Sequence, residues 1–378
     1  MRFAWFVLTL VVASTTHGQE TTATPPPAVA AKSFYLLDST SGAVLAESAA
    51  RERLPPASLT KLMTGYVVFH ALASGHIALE DRVLVSERAW RMPGSRTFIE
   101  VNTEVGVEDL LRGMIIQSGN DAAVALAEHV SGSVEAFVDS MNEYAAVLGM
   151  TDTSFRNPTG LPAREHYSTV RDFGVLARAI IDEFPDYYPL YGEREFTYNG
   201  IRQFNRNALL RRDASVDGMK TGHTNVAGYC LVTSAERSGM RLIAIVFGAQ
   251  TPNARTAAGA ALLEYGFEHF ETHKLFARGE AVTEERVWRG HPQTAPLGIP
   301  EDLYVTIPRG SFEALDATME LQAELVAPID AAAQVGEVHV AFQGERLAVL
   351  PLVALRTVAE AGLWTRISDG VMFWLDQP

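Results

Sequence analysis

The chain has a single cysteine, Cys230, in 378 residues. No intrachain disulfide is possible, so a protein of this length must be held together by its core. An exported, disulfide-free chain of this size suits a bacterial envelope. Cys230 lies in the apolar run GYCLV, where a buried, inert thiol is expected. Positive charge is also scarce. There are 31 Lys plus Arg against 45 Asp plus Glu, a formal net charge of −14. That balance argues against nucleic acid as a partner, because a phosphate backbone needs a basic footprint. Lysine is scarcer still: Lys32, Lys61, Lys220 and Lys274 are the only ones. Arginine keeps its proton in a protein, whereas a lysine loses it when its surroundings lower its pKa. The apolar run Phe3–Ala13 is too short to span a bilayer. With Arg2 before it and small or polar residues after it, residues 1–18 read as a secretory signal peptide, cut near Gly18–Gln19.

Beyond residue 18 the chain divides into blocks. Residues 19–31, rich in Thr, Pro and Ala, read as a flexible spacer. SFYLLD and AVLAES, separated by STSG, read as two strands joined by a turn. Helical spacing then runs through the segment holding Lys61, Gly106–Gln117, Asp121–Val130, the stretch ending near Gly149, and VRDFGVLARAIIDEF. RNPTGLPAREHYSTV has the Pro, Gly and polar residues of a long loop. GYCLVTSAERSGMRLIAIVFGA reads as a hairpin turning near Arg237–Gly239, and Ala254–Phe270 as a helix. Two strands, a block of helices, further strands and a closing helix fit an α+β fold: an antiparallel sheet with a mostly helical inserted region. These elements span 32–275. From 278 to 355 the alternation of apolar and polar residues predicts a small all-β domain. Residues 357–378 predict an amphipathic helix with Leu363, Ile367, Val371, Trp374 and Leu375 on one face.

Three short motifs carry the chemistry. In Ser58-Leu59-Thr60-Lys61, two prolines precede a serine at the place where a helix is capped. An isolated S-x-x-K is a weak pattern, and a capping serine accounts for it. Residues three apart share a helix face, however, so the Lys61 amine can reach the Ser58 hydroxyl. Serine is a poor nucleophile until a base takes its proton. A buried lysine beside another cation is such a base, since desolvation and like charge both depress its pKa. Ser118-Gly119-Asn120 lies between two helices, with Asp121 placed to cap the second. A second S-x-N, Ser140-Met141-Asn142, falls inside an amphipathic helix and is set aside. Lys220-Thr221-Gly222-His223 precedes the hairpin, and there Gly222 leaves room for a ligand beside the backbone. Two of the four lysines thus fall in the two lysine motifs.

The order S-x-x-K, S-x-N, K-T-G is that of the penicillin-recognising serine enzymes. With PASLTKLMTGY, IIQSGNDAAVALAEHVSGS, FRNPTGL, EFTYNGIRQFNRNALL and SVDGMKTGHTNVAGYCLVTSA, the chain resembles the low-molecular-mass D-alanyl-D-alanine carboxypeptidases. Within them it is similar to the penicillin-binding protein 5 and 6 type of serine peptidase family S11. The resemblance covers Ala31–Phe270 most strongly. It implies that Ser58 attacks the carbonyl between the terminal D-alanines of a peptidoglycan stem peptide, with Lys61 as general base. It implies an oxyanion hole from the N–H groups of Ser58 and His223, and that Ser118, Asn120 and Lys220 orient groups and relay protons. Arg255, in PNARTAAG, would help Thr221 hold the substrate carboxylate, with Arg206 a further candidate. β-Lactams would acylate Ser58 as mimics of D-Ala-D-Ala. The resemblance further implies a periplasmic enzyme peripheral on the outer face of the inner membrane through its last helix. The polar face of that helix is not basic, so attraction to anionic lipids would be weak.

Rivals fit less well. A class A β-lactamase would need E-x-x-x-N in the loop where this chain has only Glu165. A D,D-endopeptidase of the same fold is closer, but typically lacks the β domain and terminal helix. A non-catalytic peptidoglycan-binding module would have little use for the two motif lysines. His269 and His273 are spaced i, i+4, as zinc ligands on a helix are, but no glutamate follows His269 directly and no third ligand cluster is evident. They are read as structural or surface residues, and no metal or cofactor is expected.

Overall fold

The computed structural model describes residues 25–376. The signal peptide expected over 1–18, and the part of the spacer before residue 25, lie outside the described residues.

The chain opens with β1 (Ser33–Asp38) and β2 (Val44–Ser48), then enters a helical region. That region holds α1 (Thr60–Ala73), β3 (Arg82–Leu84), α2 (Glu87–Trp90), β4 (Glu104–Gly106), α3 (Val107–Ile116), α4 (Asn120–Ser131), α5 (Val134–Val147) and α6 (Val170–Glu183). A hairpin of β5 (Glu195–Tyr198) and β6 (Ile201–Phe204) and the short α7 (Leu209–Arg212) lead back to β7 (Val216–Thr224), β8 (Gly228–Arg237), β9 (Met240–Ala249) and α8 (Pro252–His269). The main sheet is antiparallel in the order β2-β1-β9-β8-β7.

Both faces of this sheet are covered, so β1 and β9 read as apolar runs rather than as alternation. On one face Phe34, Leu36, Leu242, Ala244 and Val246 pack against Leu262 and Leu263 of α8. On the other, Tyr35, Leu37, Ile243, Ile245 and Phe247 join Leu62, Phe69, Phe173 and Leu176 of the helical region in one core. The period of two in each strand thus feeds two cores. β7 is an edge strand, and the turn before α1 lies along it.

The C-terminal part holds β10 (Phe270–Phe276), β11 (Ala281–Arg286), β12 (Gly290–His291), β13 (Thr294–Gly298), β14 (Leu303–Pro308), β15 (Leu315–Leu321), β16 (Gln334–Phe342), β17 (Glu345–Ala354) and β18 (Ala359–Glu360). A five-stranded sheet in the order β11-β13-β17-β16-β15 and the pair β10-β14 enclose a separate core. Fully buried Leu297 of β13 lies in it with Ala295, Ile299, Val338, Val340 and Leu352. The last helix, α9, runs Leu363–Asp376; before it, β18 pairs with β12. The buried Asp369 carboxylate accepts a hydrogen bond from the Arg289 N–H at 2.9 Å and faces Arg286 at 3.4 Å, which docks α9 on the β domain. Leu363, Trp364 and Ile367 of α9 are exposed. No helix among the described residues is long and apolar enough to cross a membrane.

The helical spacing of His269 and His273 is not realised. His269 ends α8, whereas His273 lies on β10, where its Nε2 is 3.2 Å from Glu271. The pairing of β10 with β14 ends the helix at this point.

Candidate active site

Ser58 sits in a 3-10 turn, Ala57–Leu59, immediately before α1. It is not the capping serine the sequence suggested. Leu59 occupies the N-cap of α1, and no side chain caps it. The turn is strained, with Ala57 at φ +50. It is braced by Gly160, whose own φ is +80 and where an added Cβ would lie 1.8 Å from the Ala57 carbonyl oxygen. The Ser58 hydroxyl is thereby left for the cleft instead of the helix end.

Lys61 is one turn further on, and it is 1% exposed. Its Nζ is 2.6 Å from Asn120 Oδ1, 2.6 Å from the Thr159 carbonyl oxygen and 3.4 Å from Ser58 Oγ. A neutral amine has two N–H bonds and one lone pair. The two carbonyl oxygens take the N–H bonds, so the lone pair is left for the Ser58 hydroxyl. Burial, and then the charge of Arg206, bring the Lys61 pKa down to about 7, with Asp121 opposing. The environment thus favours the form of lysine that accepts a proton.

Ser118 and Asn120 come from the α3–α4 junction. Ser118 is at φ +67, and Asn120 is the first residue of α4. Asp121 does not cap α4, because Gly119 holds the N-cap position. Its carboxylate accepts from the backbone N–H groups of Thr97, Phe98 and Ile99, and also from the Ala122 N–H in the first turn of α4. Asn120 Nδ2 donates to the Pro93 carbonyl oxygen at 2.6 Å. This fixes the amide so that Oδ1 faces Lys61.

The third motif lies on β7. Lys220 Nζ donates to Ser118 Oγ at 2.9 Å and to the Thr221 carbonyl oxygen at 3.1 Å. Burial pushes its pKa well down, followed by the charges of Lys61, Arg206 and Arg255. At Gly222 an added Cβ would lie 3.0 Å from the Pro56 carbonyl oxygen and 3.1 Å from Ser58 N. The glycine therefore lets the strand close on the nucleophile's turn. His223 is exposed and stacks on Tyr229, with ring centroids 4.0 Å apart. Arg255, near the start of α8, is buried with its guanidinium 5.9 Å from the Tyr229 ring centre. Its Nε, also buried, has no hydrogen-bond partner among the described residues. Arg206 is held beside these groups by its neighbours. Asn205 donates to the Glu193 carbonyl oxygen, and Asn207 to that of Gly218.

The three motifs therefore meet. Ser58, Lys61 and Asn120 form one hydrogen-bonded group and Ser118 with Lys220 another, close enough that Lys61 depresses the Lys220 pKa, with Thr221, Gly222 and His223 along the edge. Arg206 and Arg255 add charge to the same side, since each depresses the Lys220 pKa. Such a cluster can activate a hydroxyl and attract an anionic group.

Two participants were not foreseen. Thr159 acts through its main-chain carbonyl, so its side chain gives no signal. His166 bridges the loop to α1. Its Nδ1 accepts from the Arg156 N–H, and its Nε2 lies 2.9 Å from Thr60 Oγ1. Thr60 Oγ1 donates to the Ala57 carbonyl oxygen, so Nε2 is the protonated nitrogen. A histidine in a Pro/Gly-rich loop was the available clue. Cys230 is buried and its thiol is pushed up to about 11 by burial, consistent with an inert residue.

Residues 19–251 match the family described as D-alanyl-D-alanine carboxypeptidase, and residues 270–360 match the penicillin-binding protein 5 C-terminal domain. D-alanyl-D-alanine carboxypeptidase DacC of Escherichia coli is 43% identical over 355 residues, covering 92% of this chain and 89% of the relative. The crystal structure of penicillin-binding protein 5 from Haemophilus influenzae superposes with a TM-score of 0.85 at 42% identity, covering 89% of this chain and 100% of that one. A D-alanyl-D-alanine endopeptidase of Escherichia coli is 35% identical over 190 residues, only 47% of this chain and 58% of the relative.

Proposed function

Because the chain belongs to the D-alanyl-D-alanine carboxypeptidase family, we propose that it removes the terminal D-alanine from peptidoglycan pentapeptides through an acyl-enzyme on Ser58. The observation that carries this reading is the buried Lys61 amine, with two carbonyl oxygens on its N–H bonds and Ser58 Oγ at 3.4 Å. Lys61 takes the hydroxyl proton as Ser58 Oγ bonds to the carbonyl carbon of the penultimate D-alanine. The N–H groups of Ser58 and His223 receive the developing oxyanion. The proton held by Lys61 passes to Ser118, joined to Lys220, as Ser118 gives its own to the departing nitrogen and the peptide C–N bond breaks, which leaves Lys61 neutral again. Thr221 and Arg255 hold the carboxylate of the leaving D-alanine. Water then attacks the ester, its proton passing to the neutral Lys61 and from there to Ser58 Oγ as the ester C–O bond breaks, so that both residues are restored. A penicillin acylates Ser58 by the same steps, but its amine stays attached to the acyl group and in the cleft, so the ester is hydrolysed slowly.

Carboxypeptidase action is favoured over endopeptidase action by the extent of similarity. The carboxypeptidase relative spans 92% of the chain, the endopeptidase relative 47%. The protein works in the periplasm, on the outer face of the inner membrane, with α9 as its contact. Leu363 and Trp364, 70% and 84% exposed, support that placement, as does the apolar start of the chain.

The test is intact mass of the soluble protein and of Ser58→Ala, after penicillin and separately after a D-Ala-D-Ala peptide. A lasting penicilloyl adduct on the wild type alone, with D-alanine released from the peptide, is the expected result. Fast penicillin hydrolysis without an adduct would indicate a β-lactamase instead. No adduct and no release would leave a binding module.

A further inference from the structure

Phe98 has an unusual position. Its backbone is left-handed, at φ +70, a region that bulky side chains rarely adopt. Its side chain is 45% exposed, while Thr97 and Ile99 on either side are fully buried. Three consecutive N–H groups, those of Thr97, Phe98 and Ile99, converge on the buried Asp121 carboxylate at 2.8, 2.9 and 3.4 Å. Gln203 of β6 donates to the Thr97 carbonyl oxygen at 3.1 Å. The segment is also bound to the S-x-N loop. Asn120 N donates to the Ser95 carbonyl oxygen at 2.7 Å, and Asn120 Nδ2 to that of Pro93. Held from both sides, the strained backbone leaves an aromatic ring exposed on a segment bonded to Asn120 and Asp121. Strain of this kind persists where the surrounding structure enforces it, and such places are often functional.

We infer that Phe98 is a specificity-determining residue that packs on the aliphatic part of the acyl-side stem peptide, upstream of the terminal D-Ala-D-Ala. This inference rests on the function proposed above. The leaving D-alanine belongs at Thr221 and Arg255, on the β7 and α8 side of the cleft. Phe98 is attached to the facing wall by its N–H to Asp121 of α4, and the segment before it by Pro93 and Ser95 to Asn120, the partner of Lys61. A residue on that wall meets the part of the substrate that stays on Ser58. Its ring offers an apolar face to the methylene chain of a diamino acid in the third position.

The experiment compares release of D-alanine from diacetyl-L-Lys-D-Ala-D-Ala and from N-acetyl-D-Ala-D-Ala, which lacks the third residue. The variants are Phe98→Asn, which suits the left-handed backbone but removes the ring, and Phe98→Tyr, which keeps it. Phe98→Asn should lose about tenfold in kcat/KM on the longer substrate, the scale of one apolar contact, and stay within about twofold on the shorter. Phe98→Tyr should keep the wild-type ratio, and Phe98→Asn should melt no lower than the wild type. The ratio between substrates within one variant does not depend on how much protein is folded. An unchanged ratio in Phe98→Asn would overturn the inference. Release of D-alanine from neither substrate by the wild type would overturn the proposed function, and the inference with it.

Discussion

Acylation of Ser58 by a penicillin should rise with pH through about 7 and level off above it. The group that must lose a proton is Lys61, lowered from 10.5 to about 7 by burial and by Arg206. At pH 7 a lysine of pKa 10.5 is neutral in about one molecule in 3,000, whereas one of pKa about 7 is neutral in half. Available base therefore increases roughly a thousandfold, the equivalent of about 4 kcal/mol of barrier. A weaker base pulls less strongly on the serine proton, so the net gain is smaller. The assay is the second-order acylation rate by stopped flow from pH 5.5 to 9.5. Below the midpoint the logarithm of the rate should climb with a slope near one. Arg206→Gln removes a charge that lowers the Lys61 pKa, so its midpoint should move to higher pH. Lys61→Arg should reduce the rate by at least about a thousandfold, because a guanidinium does not deprotonate. A rate equal at pH 5.5 and 8, or a limb left near 10.5, would refute the assignment of Lys61 as the base.

Three further outcomes are expected. Gly160→Ala places a methyl on the Ala57 carbonyl oxygen at a φ of +80; it should cost at least ~2 kcal/mol in denaturant unfolding and depress acylation as the Ser58 turn shifts. His166 has its pKa lowered from 6.5 to about 4, first by burial and then by Arg156. The unfolded chain binds the extra proton between these values, so stability is full above about 6.5 and falls, by on the order of 3 kcal/mol, as pH drops to about 4; urea midpoints across that range should show a slope that His166→Gln flattens. Asp369→Ala removes the acceptor for Arg289 N–H and the partner of Arg286; amide exchange over 363–376 should quicken, while penicillin acylation stays at the wild-type rate.

What could be read in the sequence was whatever depends on the type of side chain. S-x-x-K, S-x-N and K-T-G are each weak alone. Their joint occurrence, with two of four lysines placed in them, located residues that prove to be hydrogen-bonded in two adjoining sets, one around Lys61 and one of Lys220 with Ser118. The sheet was legible for a similar reason: a strand buried on both faces is a continuous apolar run, as SFYLLD is. The helix expected over Ala254–Phe270 is α8, read to within one residue of its end at His269. The strand after it was not legible: ETHKLF carries no turn or alternation of its own, and β10 exists because β14, some thirty residues later, pairs with it.

The other misreadings share a cause. Ser58 and Asp121 both stand where helix caps are expected, and neither caps a helix. Each is diverted to something distant in sequence. Gly160 braces the Ala57–Leu59 turn that presents Ser58, and Asp121 gathers the N–H groups of residues 97–99. Local propensity would have used these polar groups to satisfy a helix end, where a cap is worth about 1 kcal/mol. The fold gives that up at Ser58, while at Asp121 the carboxylate serves residues 97–99 as well as the Ala122 N–H of α4. A capping Ser58 would have its oxygen tied to a helix N–H as an acceptor. Released from that bond, it stands 3.4 Å from an amine whose own N–H bonds are already occupied. The failure of the capping rule at Ser58 is thus the same fact as its readiness to lose a proton.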